Sequence, residues 1–321
     1  MMKTGRHFNI VERIATRLKL KQLRLLVAIA ENASILHAAT SLNISQPAAT
    51  KLLKDLEEDF GVKLFERSNR GAIPTKYGEA LTRHGKLILS QISQAAQELD
   101  DLAEGTGGRV VVGTLLAASA HLLPAAVEML RKERPNVSIV IKEGTNDLLI
   151  PALLTGDIDI VVGRLPEIRF RKDVLQEPLF EEQVSIIARK EHPLTQMHKI
   201  RHADLLDWDW ILPPRETTMR RQLEEEFLKM ELSPPVDGVE SVSLLTNKRI
   251  ISRTDMLTVL PYHVIAEDVE RGTLVSLPFK FKTVRGPVGI SYRRNATLSP
   301  AAAAFADKLR EIALLIQQET I

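Results

Sequence analysis

The chain of 321 residues contains no cysteine. That absence removes disulfides, thiolate zinc fingers, iron–sulfur clusters and thiol nucleophiles from consideration. It suits a reducing compartment, so a cytoplasmic location is expected. Long apolar runs are missing too: each is short and broken by charge, and no transmembrane span is expected. The first residues lack a continuous apolar core and a small-residue cleavage site, which argues against a signal peptide. Catalytic motifs are equally scarce. There is no Gly-x-Ser-x-Gly elbow. His198 and His202 are four apart, but no glutamate stands between them in a His-Glu-x-x-His arrangement and no third ligand is evident. They are read as a solvated helix or loop face, and Trp208-Asp209-Trp210 as packing on a strand edge. Gly105-Thr106-Gly107-Gly108 is not a phosphate loop, because no strand precedes it and no Gly-Lys-Ser/Thr follows. No catalytic residue, metal site or cofactor is expected, and the chain is not read as an enzyme.

A strong net charge is also lacking, at only +2, but its distribution is uneven. Residues 1–97 hold 15 Lys and Arg against 8 Asp and Glu; the remainder holds 28 against 33. A basic N-terminal module ahead of a mildly acidic body is the split expected of a nucleic-acid reader with a separate sensor.

What is present is concentrated in Ala38–Phe60, AATSLNISQPAATKLLKDLEEDF. Leu23, Leu26, Val27 and Ala30 predict a first amphipathic helix, and Ile35 to Leu42 a short second one with small Ala38 and Ala39 at its packing face. Asn43 fits a turn position in the left-handed region. Ser45 is a good N-cap and Pro47 falls in the first turn, where its missing N–H is harmless. Leu52, Leu53, Leu56 and Phe60 then form a buried stripe. Gln46, Pro47, Thr50, Lys51 and Lys54 lie on another face, small, polar or cationic. Gln pairs with adenine, Lys with guanine or phosphate, and the Thr methyl with a thymine methyl. The pattern is a helix-turn-helix with its recognition helix outward. Gly61 to Phe65 leads into a strand, and Arg67-Ser68-Asn69-Arg70-Gly71 makes a basic wing whose Arg67 and Arg70 suit phosphates or the minor groove.

Tyr77 to Glu104 contains no proline. Leu81, Ile88, Ala95 and Leu102 recur every seven residues, with Ile92 and Leu99 at the second seam position and Gly85 in place of one member, predicting a dimerisation helix. The glycines that follow make a hinge. From Arg109 strands and helices alternate: strands at 110–112, 137–141 and 158–162, helices at 121–133 and 147–154. A second set comprises strands 183–188, 210–212, 257–260 and 288–292 with helices 218–230 and 300–317. This predicts a parallel α/β body of two lobes with a ligand cleft between them. Ser119, Thr145, Asn146, Thr217 and Thr218 stand at helix starts beside that cleft, where hydroxyls and free amides make polar sites. Plain helix capping is the commoner role for such residues. Arg164 and Arg215 are candidates to neutralise a carboxylate.

These residues together resemble the LysR-type transcriptional regulators over nearly the whole chain. The most specific segments are Ile44-Ser45-Gln46-Pro47-Ala48, Leu56-Glu57, Phe60-Gly61-Val62-Lys63-Leu64-Phe65-Glu66-Arg67 and Pro74-Thr75-Lys76-Tyr77-Gly78, with Gly156-Asp157-Ile158-Asp159 and Leu260-Pro261 in the body. It is similar to the branch with regulators of sugar-binding proteins and of aromatic-acid breakdown. The resemblance implies a winged helix-turn-helix (20–76) after an N-terminal extension (1–19), a linker helix (77–104), and a two-lobed periplasmic-binding-protein-like α/β effector domain (109–321; lobe I near 109–180 and 280–321, lobe II near 181–279). It implies a dimer through the linker helix, a tetramer, and an effector that shifts the bend of promoter DNA. Gln46, Pro47 and Thr50 match the family's DNA-reading positions, with Thr50 where Ser is usual and Lys51 where Arg is frequent; Arg67 matches the wing arginine. Ser252-Arg253-Thr254-Asp255-Met256 replaces a frequent glycine-rich turn and is expected to make that side of the cleft more polar.

The expected partners are double-stranded promoter DNA, a small organic acid or sugar, a second copy of the chain and, as a candidate, RNA polymerase, with no membrane. The alternative is a solute-binding protein using the same α/β body, which cell fractionation would detect outside the cytoplasm. An enzyme, revealed by turnover of a bound metabolite, is the third reading.

Overall fold

The computed structural model describes residues 16–68, 71–104, 107–166, 172–294 and 296–319. Most of the N-terminal extension, Asn69–Arg70 and Gly105–Thr106 lie outside the described residues. The chain divides into two compact units, Met1–Leu99 and Asp100–Ile321.

The first unit comprises α1 (Leu20–Asn32), α2 (Ile35–Ser41), α3 (Gln46–Phe60), the strands β1 (Phe65–Ser68) and β2 (Gly71–Pro74), and the start of α4 (Lys76–Glu104). Leu23, Leu26 and Ile29 of α1, Ala38 and Ala39 of α2, and Leu53 and Leu56 of α3 share one core with Leu64 and Phe65. Ala38 and Ala39 are fully buried; their size lets the helices approach closely. Ser34 caps α2 through the His37 amide, and Ser45 caps α3 through the Ala48 amide. Asn43 has φ 54°, the left-handed turn position. β1 and β2 pair antiparallel, Phe65 opposite Pro74 and Ser68 opposite Gly71. The Ala72 amide donates to the Ala33 carbonyl at 2.8 Å, fixing the wing to the end of α1. Gly71 has φ +107° and a Cβ there would lie 2.1 Å from that same carbonyl oxygen, so only glycine fits.

The seam of α4 needs a correction. Leu81 packs on the domain's own core, and Gly85 rests against Leu23 and Val27. Of the seam residues, Ile88, Ile92 and Leu99 are left exposed. The side chain of Leu102 lies outside the described residues.

The second unit holds nine strands whose pairing runs continuously from one lobe to the other. In lobe I, β3 (Arg109–Thr114) pairs parallel with β4 (Ser138–Glu143) and β5 (Ile160–Arg164). In lobe II, β7 (Trp210–Leu212) pairs parallel with β8 (Asp237–Glu240) and β9 (Leu257–Pro261). The expectation of an all-parallel body fails at the connection. β6 (Val174–Arg189) and β11 (Arg285–Arg293) are antiparallel to each other; β6 then pairs antiparallel with β9 and with β10 (Leu274–Ser276), and β11 with β5. β6 was expected only over 183–188. Its first nine residues carry Gln176, Glu177, Glu181 and Glu182, too polar to read as a buried strand.

The helices are α5 (Leu116–Ser119), α6 (Leu122–Glu133), α7 (Asn146–Thr155), α8 (Thr218–Lys229), α9 (Leu244–Ile251), α10 (Tyr262–Glu270) and α11 (Pro300–Glu319). Lobe I buries Val110, Val112, Ile160, Val162 and Phe305 in one core; lobe II buries Ile186, Trp210, Leu223 and Phe227 in another. Trp210 is not an edge residue. It lies on β7 between β9 and β8, fully buried, its indole N–H donating to the Leu205 carbonyl at 3.0 Å. Among the described residues no helix is long and apolar enough to cross a membrane.

Candidate functional site

The outward face of α3 is built as its spacing requires. Gln46, Pro47, Lys51 and Lys54 are exposed and Thr50 is half-buried, while Ala49, Leu53 and Leu56 point into the core. Ser45 uses its hydroxyl oxygen as the cap acceptor for the Ala48 amide, at 3.4 Å. Lys54 pairs with Glu58 at 3.5 Å; both are exposed, and such a pair yields readily to a phosphate. Arg67 is placed on β1 by its backbone; its side chain and the whole of Arg70 lie outside the described residues.

Glu57 was not anticipated as a positioning residue. It is buried on the inner side of α3, accepts from the Leu64 and Phe65 amides at 2.9 and 3.4 Å, and pairs with Lys63 at 2.6 Å. It ties the end of the recognition helix to the first strand of the wing. Burial opposes its charge, but the hydrogen bonds from Lys63, Leu64 and Phe65 outweigh burial and hold its pKa below the ordinary glutamate value. A lowered folded-state pKa means stabilisation present above the unfolded value and lost as pH falls through the folded one. Glu57→Ala is expected to destabilise this domain by about 2–4 kcal/mol, because two buried amides lose their acceptor. Thermal unfolding of wild type and variant at neutral pH measures this, and the difference should shrink in acid.

In the second unit a cavity of ≈ 650 Å³ opens between the lobes. Six of the seven ligand candidates read from the sequence border it: Ser119, Thr145, Asn146, Arg164, Thr217 and Thr218. Thr145, Asn146, Thr217 and Thr218 reach it where α7 and α8 begin, and Arg164 at the end of β5; contrary to expectation, Ser119 does not start a helix but is the last residue of the four-residue α5. Thr217 caps α8, accepting from the Arg220 amide, whereas Thr145 precedes α7 without a side-chain cap. Arg215 is exposed and is not part of the cavity wall. Glu143, Glu182, Ser241, Ser243, Asn247 and Thr258 border the cavity as well. Of these, Ser243 carried a local signal, an N-cap serine before Leu244-Leu245, and it does accept from the Thr246 amide. Glu182 and Asn247 carried none, since only the long-range register brings them to the cleft.

Two expectations about the wall's chemistry are corrected. Arg164 is not a free cation. Its guanidinium donates to Glu182 at 3.0 Å and to Gln222 at 3.2 Å, with Arg164 and Glu182 both buried. Burial pushes the Glu182 carboxyl up, and Arg164 pulls it back. The turn Ser252–Met256 does not make the cleft polar. It lies at the opposite end of β9 from the cavity, where Asp255 binds Arg189 at 2.7 Å. His202 is likewise not solvated: it packs edge-on to Phe227 and Phe279, 3.3 Å from Glu226, which also accepts from the Lys282 and Thr283 amides.

Comparison with known proteins matches both units. The model described as bacterial regulatory helix-turn-helix protein, lysR family, matches residues 20–79, and that described as LysR substrate binding domain matches residues 103–313. The HTH-type transcriptional regulator GbpR of Azospirillum brasilense is 34% identical over 298 residues, covering 92% of this chain and 87% of the relative. The HTH-type transcriptional regulator PcaQ of Agrobacterium fabrum is 29% identical over 297 residues, covering 92% and 96%. Among solved structures, a full-length OxyR variant from Pseudomonas aeruginosa superposes with TM-score 0.64 at 27% identity, covering 92% of this chain and 95% of that one. CbnR, a LysR family transcriptional regulator, shares the fold at TM-score 0.63 and 20% identity, over 92% and 99% of the two chains. The chain belongs to the LysR family: it is a DNA-binding transcriptional regulator that carries an effector-binding domain of two α/β lobes.

Proposed function

We propose that Gln46, Pro47 and Thr50 read base edges in the major groove, while Ser45, Lys51, Lys54, Arg67 and Arg70 hold the backbone or enter the minor groove at the wing. The observation that carries this is the division of α3 into one packed face and one exposed face of small, polar and cationic side chains. Such side chains approach a groove without collision, and phosphate contacts fix the register in which base contacts act. Two copies pair through Ile88, Ile92 and Leu99 of α4, and the pairs assemble further into a tetramer in the cytoplasm. A small organic acid or sugar held by Ser119, Thr145, Asn146, Arg164, Thr217 and Thr218 shifts the geometry of that assembly, and RNA polymerase is the partner through which the shift acts. The units are assigned as 20–76 for DNA, 77–104 for pairing and 109–321 for the effector.

Gln46→Ala/Thr50→Ala is expected to lower the ratio of specific to non-specific DNA affinity roughly a hundredfold, at about 1–3 kcal/mol per lost base contact. Footprinting on the wild-type site against a scrambled duplex measures the ratio; an unchanged preference would refute the assignment of α3. Lys51→Ala should instead weaken both duplexes alike and reduce the salt slope of binding by about one.

A further inference from the structure

We infer that Thr75 and Gly78 are positioning residues that set the angle between the recognition helix α3 and the linker helix α4, and through it the half-site spacing that the protein reads. This rests on two copies pairing through α4.

The two-residue segment Lys63-Leu64 is bonded on both sides. One side is tied to α3. The Leu64 amide donates to Glu57 Oε1 at 2.9 Å, and Lys63 Nζ donates to Glu57 Oε2 at 2.6 Å. The other side is tied to the start of α4. The Thr75 hydroxyl donates to the Lys63 carbonyl at 2.8 Å, and the Thr75 amide donates to the Leu64 carbonyl at 2.9 Å. The same hydroxyl accepts from the Gly78 amide at 3.1 Å, as an N-cap does. A Cβ on Gly78 would lie 2.0 Å from the Leu64 carbonyl oxygen and 3.0 Å from its carbon. Gly78 lies inside α4 without a positive φ, and glycine is among the poorest helix formers. The close approach, not the backbone conformation, therefore requires it. Leu64 is 1% exposed in the domain's core, so it cannot yield easily.

α4 is held a second time two turns later. Lys86 pairs with Glu31 of α1 at 2.7 Å. A Cβ on Gly85 would meet only side-chain carbons of Leu23, Leu26 and Val27, none nearer than 3.5 Å, which is ordinary contact. The exposed seam residues Ile88, Ile92 and Leu99 follow. Gly78 and Gly85 are about 10 Å apart along the axis. Making room for a methyl at Gly78 moves the first turn by about 1 Å. That tilts α4 by roughly 5–6° about the Gly85 contact, and Leu99, about 21 Å beyond, shifts by about 2 Å. Both arms of a pair turn in this way, and successive base pairs are about 3.4 Å apart. The displacement is of the order of one base-pair step.

The test is equilibrium binding of the full chain to duplexes carrying two identical half-sites, taken from those the wild type selects out of random duplexes. Their spacing varies by single base pairs, and a duplex with one half-site completes the series. Wild type should show a sharp optimum. Gly78→Ala and Thr75→Val should move that optimum by a base pair, or cut the preference for it over its neighbours at least fivefold. Affinity for the single half-site should stay within twofold. Thr75→Ser, which keeps the hydroxyl, and Gly85→Ala should retain the wild-type profile. Thermal unfolding checks each variant, and the half-exposed Thr75 decides the matter if Gly78→Ala does not fold. A wild-type spacing profile in folded Thr75→Val, or equal losses on one and two half-sites, would overturn the inference. Absence of any spacing preference in wild type would instead refute the pairing reading, and the inference with it.

Discussion

Ile92→Glu/Leu99→Glu is expected to weaken binding to a duplex with two half-sites by about 10²–10⁴-fold, because the second arm then binds without the effective concentration that linkage provides. The two side chains are 42% and 67% exposed in the single chain, so charge at these positions leaves the fold intact while making a helix–helix seam repulsive. Binding to a duplex with one half-site should be unaltered, since α3 and the wing are untouched. Sedimentation of the variant should show loss of the tetramer. A double variant that still sediments as a tetramer would place the pairing interface elsewhere.

The second large effect concerns the buried pair in the cleft. Arg164→Met is expected to destabilise the effector domain by about 3–5 kcal/mol, because it strands Glu182 as an uncompensated buried carboxylate. Arg164→Met/Glu182→Leu should recover much of that loss, since replacing both partners with apolar groups removes the stranded charge. The pH dependence has a definite sign. Burial already raises the Glu182 pKa, with Arg164 opposing. Without Arg164 the folded-state value rises further above the unfolded one. The protonated form then favours the folded state, so the single variant is least impaired in acid and loses stability as pH rises through the raised value. Denaturant unfolding of the three proteins across that range measures it. Equal stability of the Arg164→Met variant and wild type at neutral pH would show that the pair contributes nothing.

The DNA-reading helix could be recognised without coordinates because its signals are local. Ser45 caps, Pro47 sits in the first turn, Asn43 takes a positive φ, and Leu53 and Leu56 bury at helical spacing. The same locality made Thr145, Asn146, Thr217 and Thr218 visible, since each stands at the start of a helix that follows a strand, whereas Ser119 ends α5. What escaped depends on distant pairing. Glu57 looks like one more surface acid on a charged helix until the chain returns with the Leu64 and Phe65 amides. Glu182 reads as a solvated residue in a run of acids, yet it is buried because β6 crosses from one lobe to the other between β11 and β9. Arg164 was expected to be available to a ligand anion; its partner lies 18 positions away on that same crossing strand. The error at Leu81 was one of competition. A single apolar stripe on α4 serves the domain's own core first and leaves only its later members exposed.

The central claim is that two copies of α3, paired through α4, read two related half-sites. Selection of binding sites from a pool of random duplexes by the purified full chain tests it most directly. The expected product is an interrupted palindrome whose half-site centres are separated by about one helical turn, 10–10.5 base pairs, or a multiple of it. Enrichment of a single unrepeated site, or of no sequence at all, would contradict it.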